Sequence, residues 1–486
     1  DPDVIRVEDT YYMVSTTMHF MPGCEILQSF DLVHWEHATY VYETLDHTDA
    51  QQLKSGQNIY GQGMWAASLR YHEGRFYICF VANDTRKTYL YTSEKIDGPW
   101  KKQLIEGFYH DGSLLFDEDG RNYIVYGNDE IWITELNEDL TAPKKDGLHR
   151  LLVSDHKNPE LGYEGSHIQK INGYYYIFLI HSLRDRWMRT EACFYSDSLE
   201  GEFTGGDVLC DDRGYCGQGV AQGGIVDTPD GKWYAMLFQD SGAVGRIPIL
   251  VPVTWKDHFP FFGQNGHVPE EIEVHSTRPG YIYQPLVGSD DFCNGLLPRW
   301  QFNHDPDPRY YHLDALQGTY TITTREVCTE LTQAVNTLTQ RMSYPSCAAE
   351  VTVDASALKE GDVAGLCALQ GCYAAVGITK HHGKYEVLML DKKEDGILDM
   401  TEGTVVESHQ MDFRLEADFC NMKDEARCYY RVNKGDWLPI GTVHKLYFKL
   451  DHFTGCRFGL FCYAAEETGG SACFRDFKYY DVDEIS

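Results

Sequence analysis

Five short segments of the 486-residue chain place side chains that can do chemistry at a shared offset from a recurring hairpin. Trp65, Asp111, Glu164 and Gln222 each stand twelve residues ahead of the last tyrosine of the hairpin motif; Asp1 stands eleven ahead, its turn being one residue shorter. Small residues mostly follow these leads: Ala66-Ala67, Gly112-Ser113, Gly165-Ser166 and Gly223-Gly224. Three of the five leads are carboxylic acids and one is a large flat aromatic. Three like charges in a narrow, partly dry pocket do not all ionise, so at least one pKa should rise. A raised carboxyl donates a proton at neutral pH, and a lower one accepts a proton from water. That pair of roles is what cleavage of a glycosidic bond requires. Read singly, Asp-Gly-Ser and Glu-Gly-Ser are ordinary turn or strand-start residues, and a lone Trp65 is an ordinary core residue. With 74 acids in the chain, one match is easily met by chance; three at one repeat offset is the signal.

The elements that must position these residues follow from the repeat. The motif runs turn residue, variable residue, aromatic or polar residue, tyrosine, and its tyrosines are Tyr12, Tyr77, Tyr123, Tyr176 and Tyr234, 46 to 65 residues apart. That is the period of four-stranded propeller blades with variable loops. Five copies predict a five-bladed ring. Its innermost strands crowd the axis, so Gly and Ala should follow the leads, and all five leads should share one mouth. The pattern thins after about residue 255, and a Pro- and Gly-punctuated stretch runs from Pro260 to Gly288. Beyond it, strands are predicted at Tyr320–Thr324, Ala348–Val353, Tyr373–Thr379, Tyr385–Leu390, Arg427–Val432 and Phe458–Tyr463, with irregular turns. The expected fold is all-β: a five-bladed β-propeller over 1–288, then a β-sandwich of concanavalin or jelly-roll type over 289–486. Asp290-Asp291 reads as a solvated linker and His381-His382-Gly383 as a hairpin turn. Asp117-Glu118-Asp119-Gly120 reads as a blade turn rather than a calcium loop.

Composition bounds the partners. Forty-two basic residues against 74 acidic ones give a net charge of −32, which repels nucleic acid and anionic membranes. A neutral oligosaccharide partner is expected, with no nucleic acid and no membrane. Apolar runs such as Tyr174–Ile180 fall far short of the ~18 residues that span a bilayer, and no charged-then-apolar leader opens the sequence. Fifteen irregularly spaced cysteines, several of them (Cys79, Cys193, Cys462) in apolar strand patterns, argue against structural zinc and for a reducing compartment. The expected location is cytoplasmic, or extracellular if a leader has been trimmed.

Taken together, Asp1–Tyr12 (DPDVIRVEDTYY), Met64–Ala67, Asp111–Asp117, Glu164–Ile168 and Gly245–Pro248 resemble glycoside hydrolase family 43, the β-xylosidases and α-L-arabinofuranosidases. The C-terminal half resembles the β-sandwich that accompanies the propeller in many members and helps shape the pocket rim. The resemblance implies an inverting, exo-acting hydrolase that releases terminal α-L-arabinofuranosyl or β-D-xylosyl residues from plant hemicellulose-derived oligosaccharides. It implies that Asp1 is the base that activates water, Glu164 the acid that protonates the leaving oxygen, and Asp111 the third acid that tunes and orients Glu164. Arg246 would reach sugar hydroxyls, Trp65 would stack on the substrate, and His19 and Phe20 would line the sugar site. Many members carry a histidine near a central calcium or water cluster where this chain has Gln222, here expected to hydrogen-bond. No cofactor is expected to be required and no metal ligand is assigned, a central calcium ion being the one option. An α-amino group beside Asp1, as the chain is written, would lower the carboxyl's pKa.

Two other readings compete. A non-catalytic carbohydrate-binding propeller would keep Trp65 and Arg246 but has no need of three acids. A retaining, invertase-type propeller would carry an Asn-Asp-Pro-Asn segment and a Glu-Cys acid motif, and the chain has neither.

Overall fold

The computed structural model describes residues 1–481. Up to Phe262 the chain forms five four-stranded sheets, each joining sequential strands in antiparallel order, and these are the five blades. Their innermost strands are Asp3–Val7, Met64–His72, Ser113–Phe116, Glu164–Ile171 and Ile225–Asp227. Each is followed by the strand that carries the motif tyrosine, through tight turns where the sequence allows them. His72 pairs with Arg75 across Glu73-Gly74, and Ile171 pairs with Tyr174 across Asn172-Gly173. All four turn residues have positive φ, which matches the twist of a two-residue hairpin.

A single blade leaves apolar side chains on both faces, so blades are stable only when stacked. Leu69, Ile78 and Phe80 of blade two pack on Val14 and Ile26 of blade one. The ring closes where Val226, Tyr234 and Met236 of blade five meet Val4, Tyr11 and Met13 of blade one. At the axis a polar network links the inner strands. Arg70 Nη1 donates to Asp3 Oδ2 (2.7 Å), Arg70 Nη2 to Ser113 Oγ (2.7 Å), and His167 Nδ1 lies 3.1 Å from Asp3 Oδ1. Burial pushes the Asp3 carboxyl up, but Arg70 and His167 more than offset this and hold it below the usual range.

The C-terminal region is a sandwich of a seven-stranded and a nine-stranded antiparallel sheet around a core that includes Leu338, Val351, Phe413, Phe458 and Phe474. All six predicted strands are present, for example Ser346–Asp354 and Arg457–Ala464. His382-Gly383 does form a two-residue turn. The nine-stranded sheet is not purely C-terminal: Phe20–Met21, from the loop 15–22 of blade one, pairs with Gln301–Asn303 at its edge. The two architectures therefore share a sheet. Asp290 is likewise not a solvated linker. It is buried, accepts a hydrogen bond from Trp300 Nε1 (2.8 Å), and exchanges backbone hydrogen bonds with Phe477.

Candidate active site

The five leads converge at one mouth of the propeller because each begins, or lies just before, an innermost strand, and the backbone there is irregular. Asp111 and Gln222 adopt φ of 47° and 59°, and the pairing of blade four shifts between Glu164 and His167. Gly165 has φ of 65°, and a Cβ on it would lie 2.6 Å from the Gln222 side chain. Gln222 is buried, and its backbone N–H donates to Glu191 (2.7 Å). Burial pushes the Glu191 carboxyl well up. Gln222 thus packs under the acid's strand, away from solvent.

Glu164 and Asp111 face a residue that the sequence reading passed over. His110 Nε2 lies 3.5 Å from Asp111 Oδ2 and 3.6 Å from Glu164 Oε2. The segment that carries it is pinned: Gly127 N–H donates to the His110 carbonyl (3.1 Å), and Tyr109 N–H donates to Thr88 Oγ1 (3.1 Å). The Asp111 charge, reinforced by Glu164, raises the His110 pKa to about 9. Burial, with the nearby Glu164 charge, raises that of Asp111 while His110 opposes it. Asn128 Nδ2 donates to Glu164 Oε2 (2.7 Å), and Gly165 N–H donates to Asp111 Oδ2 (3.1 Å). Glu164 keeps 21% side-chain exposure, enough to meet a ligand, whereas Asp111 keeps 7%. The geometry suits an exposed acid supported by a buried one.

Asp1 stands in a second cluster. Its carboxylate accepts from Thr16 Oγ1 (2.5 Å) and is ion-paired with Arg246. Arg246 also donates from Nε to Asp240 (3.3 Å), which in turn pairs with Arg189. The Arg246 guanidinium lies between two rings, 4.5 Å from the centre of Phe238 and 4.3 Å from that of Phe453. Phe453 comes from the sandwich, and it also meets Trp65 edge-on at 5.4 Å. Trp65 is half-buried, 6.2 Å from the His110 ring, and its Nε1 has no acceptor. Trp65, His110, Phe453 and Arg246 thus form walls around the acids. A mostly apolar cavity of about 780 Å³ adjoins them between blades one and five and the sandwich; its lining includes Asp1, Arg246 and Phe453 but not Asp111, Glu164 or His110. It is a neighbouring space rather than the gap between Asp1 and Glu164.

His19 and Phe20 do not line a sugar site. Both have 0% exposure. Phe20 is fixed by the strand shared with the sandwich, and its ring lies 3.7 Å from the Arg457 guanidinium carbon. His19 packs among Tyr60, His304 and His452, between the two architectures.

Residues 1–260 match the model described as glycosyl hydrolases family 43, and residues 289–480 match that of the β-xylosidase C-terminal concanavalin A-like domain. The chain belongs to glycosyl hydrolase family 43. It is a glycosidase built as a five-bladed propeller with a C-terminal sandwich. It is similar to a bifunctional GH43-CE protein of Bacteroides eggerthii, with 42% identity and a TM-score of 0.91 over 100% of this chain. The chain spans 62% of that protein's length. A β-xylosidase of Formosa agariphila is 26% identical, the match covering 99% of this chain and 87% of the relative. A GH43 glycoside hydrolase engineered to display both endo-xylanase and exo-arabinofuranosidase activity is 27% identical, with a TM-score of 0.86, the match covering 99% of this chain and 97% of that one.

The central channel of this family 43 chain does not fit a calcium ion. Arg70 already neutralises Asp3, the carboxylate of the axial network. Gln222 is packed against Gly165. Near the mouth, the donor atoms of His110, Asp111 and Glu164 lie within 4.8 Å of one another, the only such group among the described residues. His110, whose pKa is raised to about 9, supplies a positive charge within this group.

Proposed function

We propose that this chain is an inverting, exo-acting glycoside hydrolase that releases terminal α-L-arabinofuranosyl or β-D-xylosyl residues from plant hemicellulose-derived oligosaccharides. The observation that carries the reading is the separation of the acids into two differently wired clusters. Asp1 is matched to the cation Arg246, whereas Asp111 and Glu164 share His110. A base needs a carboxylate held beside a cationic partner, and an acid needs a proton-bearing group that can reach the leaving oxygen: Glu164 is the part-exposed member of its cluster and stands against the buried Asp111, whose carboxyl pKa burial raises. Asp1 takes a proton from water as the water oxygen attacks the anomeric carbon. Glu164 gives its proton to the departing glycosidic oxygen, and Asp111 orients it. One pass exchanges the C–O bond to the leaving group for a C–O bond to water, with inverted configuration. Trp65 and Phe453, by narrowing the mouth, support exo action on a small terminal sugar. The names of the relatives, a β-xylosidase and an enzyme with exo-arabinofuranosidase activity, support a pentose.

Glu164→Gln tests the acid. Hydrolysis of a pentose oligosaccharide should fall by about 10²–10⁴, the usual worth of general acid catalysis. Hydrolysis of the 4-nitrophenyl pentoside, whose leaving group needs no proton, should fall far less. Wild-type turnover of the oligosaccharide by this variant would remove the assignment.

A further inference from the structure

The blade that carries Glu164 also presents an aromatic face that the reaction as described does not use. The loop 183–188 joins the second and third strands of blade four, Tyr174–Ser182 and Arg189–Ser196, at the end of the blade where Glu164 begins its strand. The loop is closed on itself: Leu183 N–H donates to the Met188 carbonyl (3.1 Å), and Met188 N–H donates to Ser182 Oγ (2.8 Å). Arg184 anchors it to the buried Asp155. Near its tip Trp187 is 44% exposed, and no other tryptophan among the described residues is as open.

Trp187 is not remote from the chemistry. The Arg189 guanidinium carbon lies 5.3 Å from the Trp187 ring centre and 5.3 Å from that of Phe238, the ring that also supports Arg246. Arg189 pairs with Asp240, which it shares with Arg246, and the charge of Glu164 acts on it. One buried arginine therefore separates the exposed indole from both the acid and the base clusters. An anchored aromatic platform with an open face suits the apolar C–H face of a sugar ring, because it binds with little ordering cost. Its side of the site indicates which ring. The acid protonates the bond to the leaving group, so the leaving sugar extends past Glu164, on the blade of Trp187. The base side is walled by Arg246 and Phe453.

We propose that Trp187 forms the stacking platform for the first sugar unit of the leaving group, immediately beyond the bond that is cut. The inference rests on the glycosidase reading above and adds a subsite to it. The test uses the Glu164→Gln protein, to slow turnover, with and without Trp187→Ala. Each is titrated calorimetrically with xylose, with arabinose, with xylotriose and with an arabinose-substituted xylotriose. Loss of one aromatic face contact is worth about 1.4 kcal/mol, or tenfold in Kd. Trp187→Ala should therefore weaken binding of at least one oligosaccharide about tenfold while leaving the monosaccharides unchanged, and Trp187→Phe should restore part of the loss. Unchanged binding of both oligosaccharides would overturn the proposal. So would an equal loss for monosaccharides and oligosaccharides, since that would make Trp187 a cover for Arg189. If none of these sugars binds the parent protein, the pentosidase reading falls, and the subsite falls with it.

Discussion

The guanidinium of Arg246 is ion-paired with the carboxylate of Asp1 across the seam where blade five meets blade one. The pair is largely buried, with 14% and 5% side-chain exposure, and breaking such a pair leaves an uncompensated charge that costs about 3–5 kcal/mol. Removing the cation also raises the pKa of the carboxylate it faced. In Arg246→Ala, kcat/KM should drop by about 100-fold or more, and the acidic limb of the pH–rate profile should move to higher pH. A profile that keeps its shape would separate Arg246 from the base.

His110 supports the other cluster. Its imidazolium opposes the rise that burial gives the Asp111 carboxyl. His110→Asn should lower kcat/KM on a pentose oligosaccharide about tenfold, read by steady-state kinetics. The same pair has a stability signature. The folded-state pKa of His110 is raised to about 9, so its contribution is complete below the ordinary value of 6.5 and is lost as pH rises through 9. Melting curves between pH 6 and 10 should show the wild type losing stability faster than His110→Asn.

The sandwich is part of the site through Phe453. It packs on Arg246 and Trp65, and a phenyl ring carries no proton to transfer, so it serves binding. Phe453→Ala should raise KM about tenfold and change kcat less, which steady-state kinetics on a pentoside will resolve.

The sequence carried the fold well because propeller blades repeat locally. A hairpin that recurs at Tyr77, Tyr123 and Tyr176 is visible without any long-range information, and so were the lead residues fixed to it. His110 escaped because the repeat signal runs forward from each lead, toward the small residues, and not back along the pinned loop. Its signal was adjacency to Asp111. Phe20 and His19 were misread for a different reason. Their burial depends on Phe20–Met21 pairing with a strand some 280 residues later, and no local pattern reports such a partner. Asp240 and Phe453 were invisible likewise, since each acts through residues it meets only in space: Arg246 and Arg189 for Asp240, Arg246 and Trp65 for Phe453.

The interface around His19 predicts acid sensitivity. Ile59 N–H donates to His304 Nε2 (3.0 Å), a bond that only a neutral ring accepts. Burial, with His452 adding, pulls the His304 pKa down to about 3, and burial, with the same neighbours, pulls His19 well down. A depressed folded-state value means the contribution is complete above the unfolded value near 6.5 and is lost as pH falls toward 3. The melting temperature should decline steadily across that range, and His304→Gln should flatten the decline. Equal slopes in the two proteins would discount this cluster.

In the proposed reaction Asp1 and Glu164 act on one sugar as base and acid in a single displacement. The configuration of the first-formed sugar tests it most directly, followed by proton NMR during hydrolysis of an arabinofuranoside or xyloside before mutarotation. The anomer opposite to that of the substrate should appear first. Appearance of the substrate's own anomer would contradict it, because it would require a covalent intermediate on one of these carboxylates.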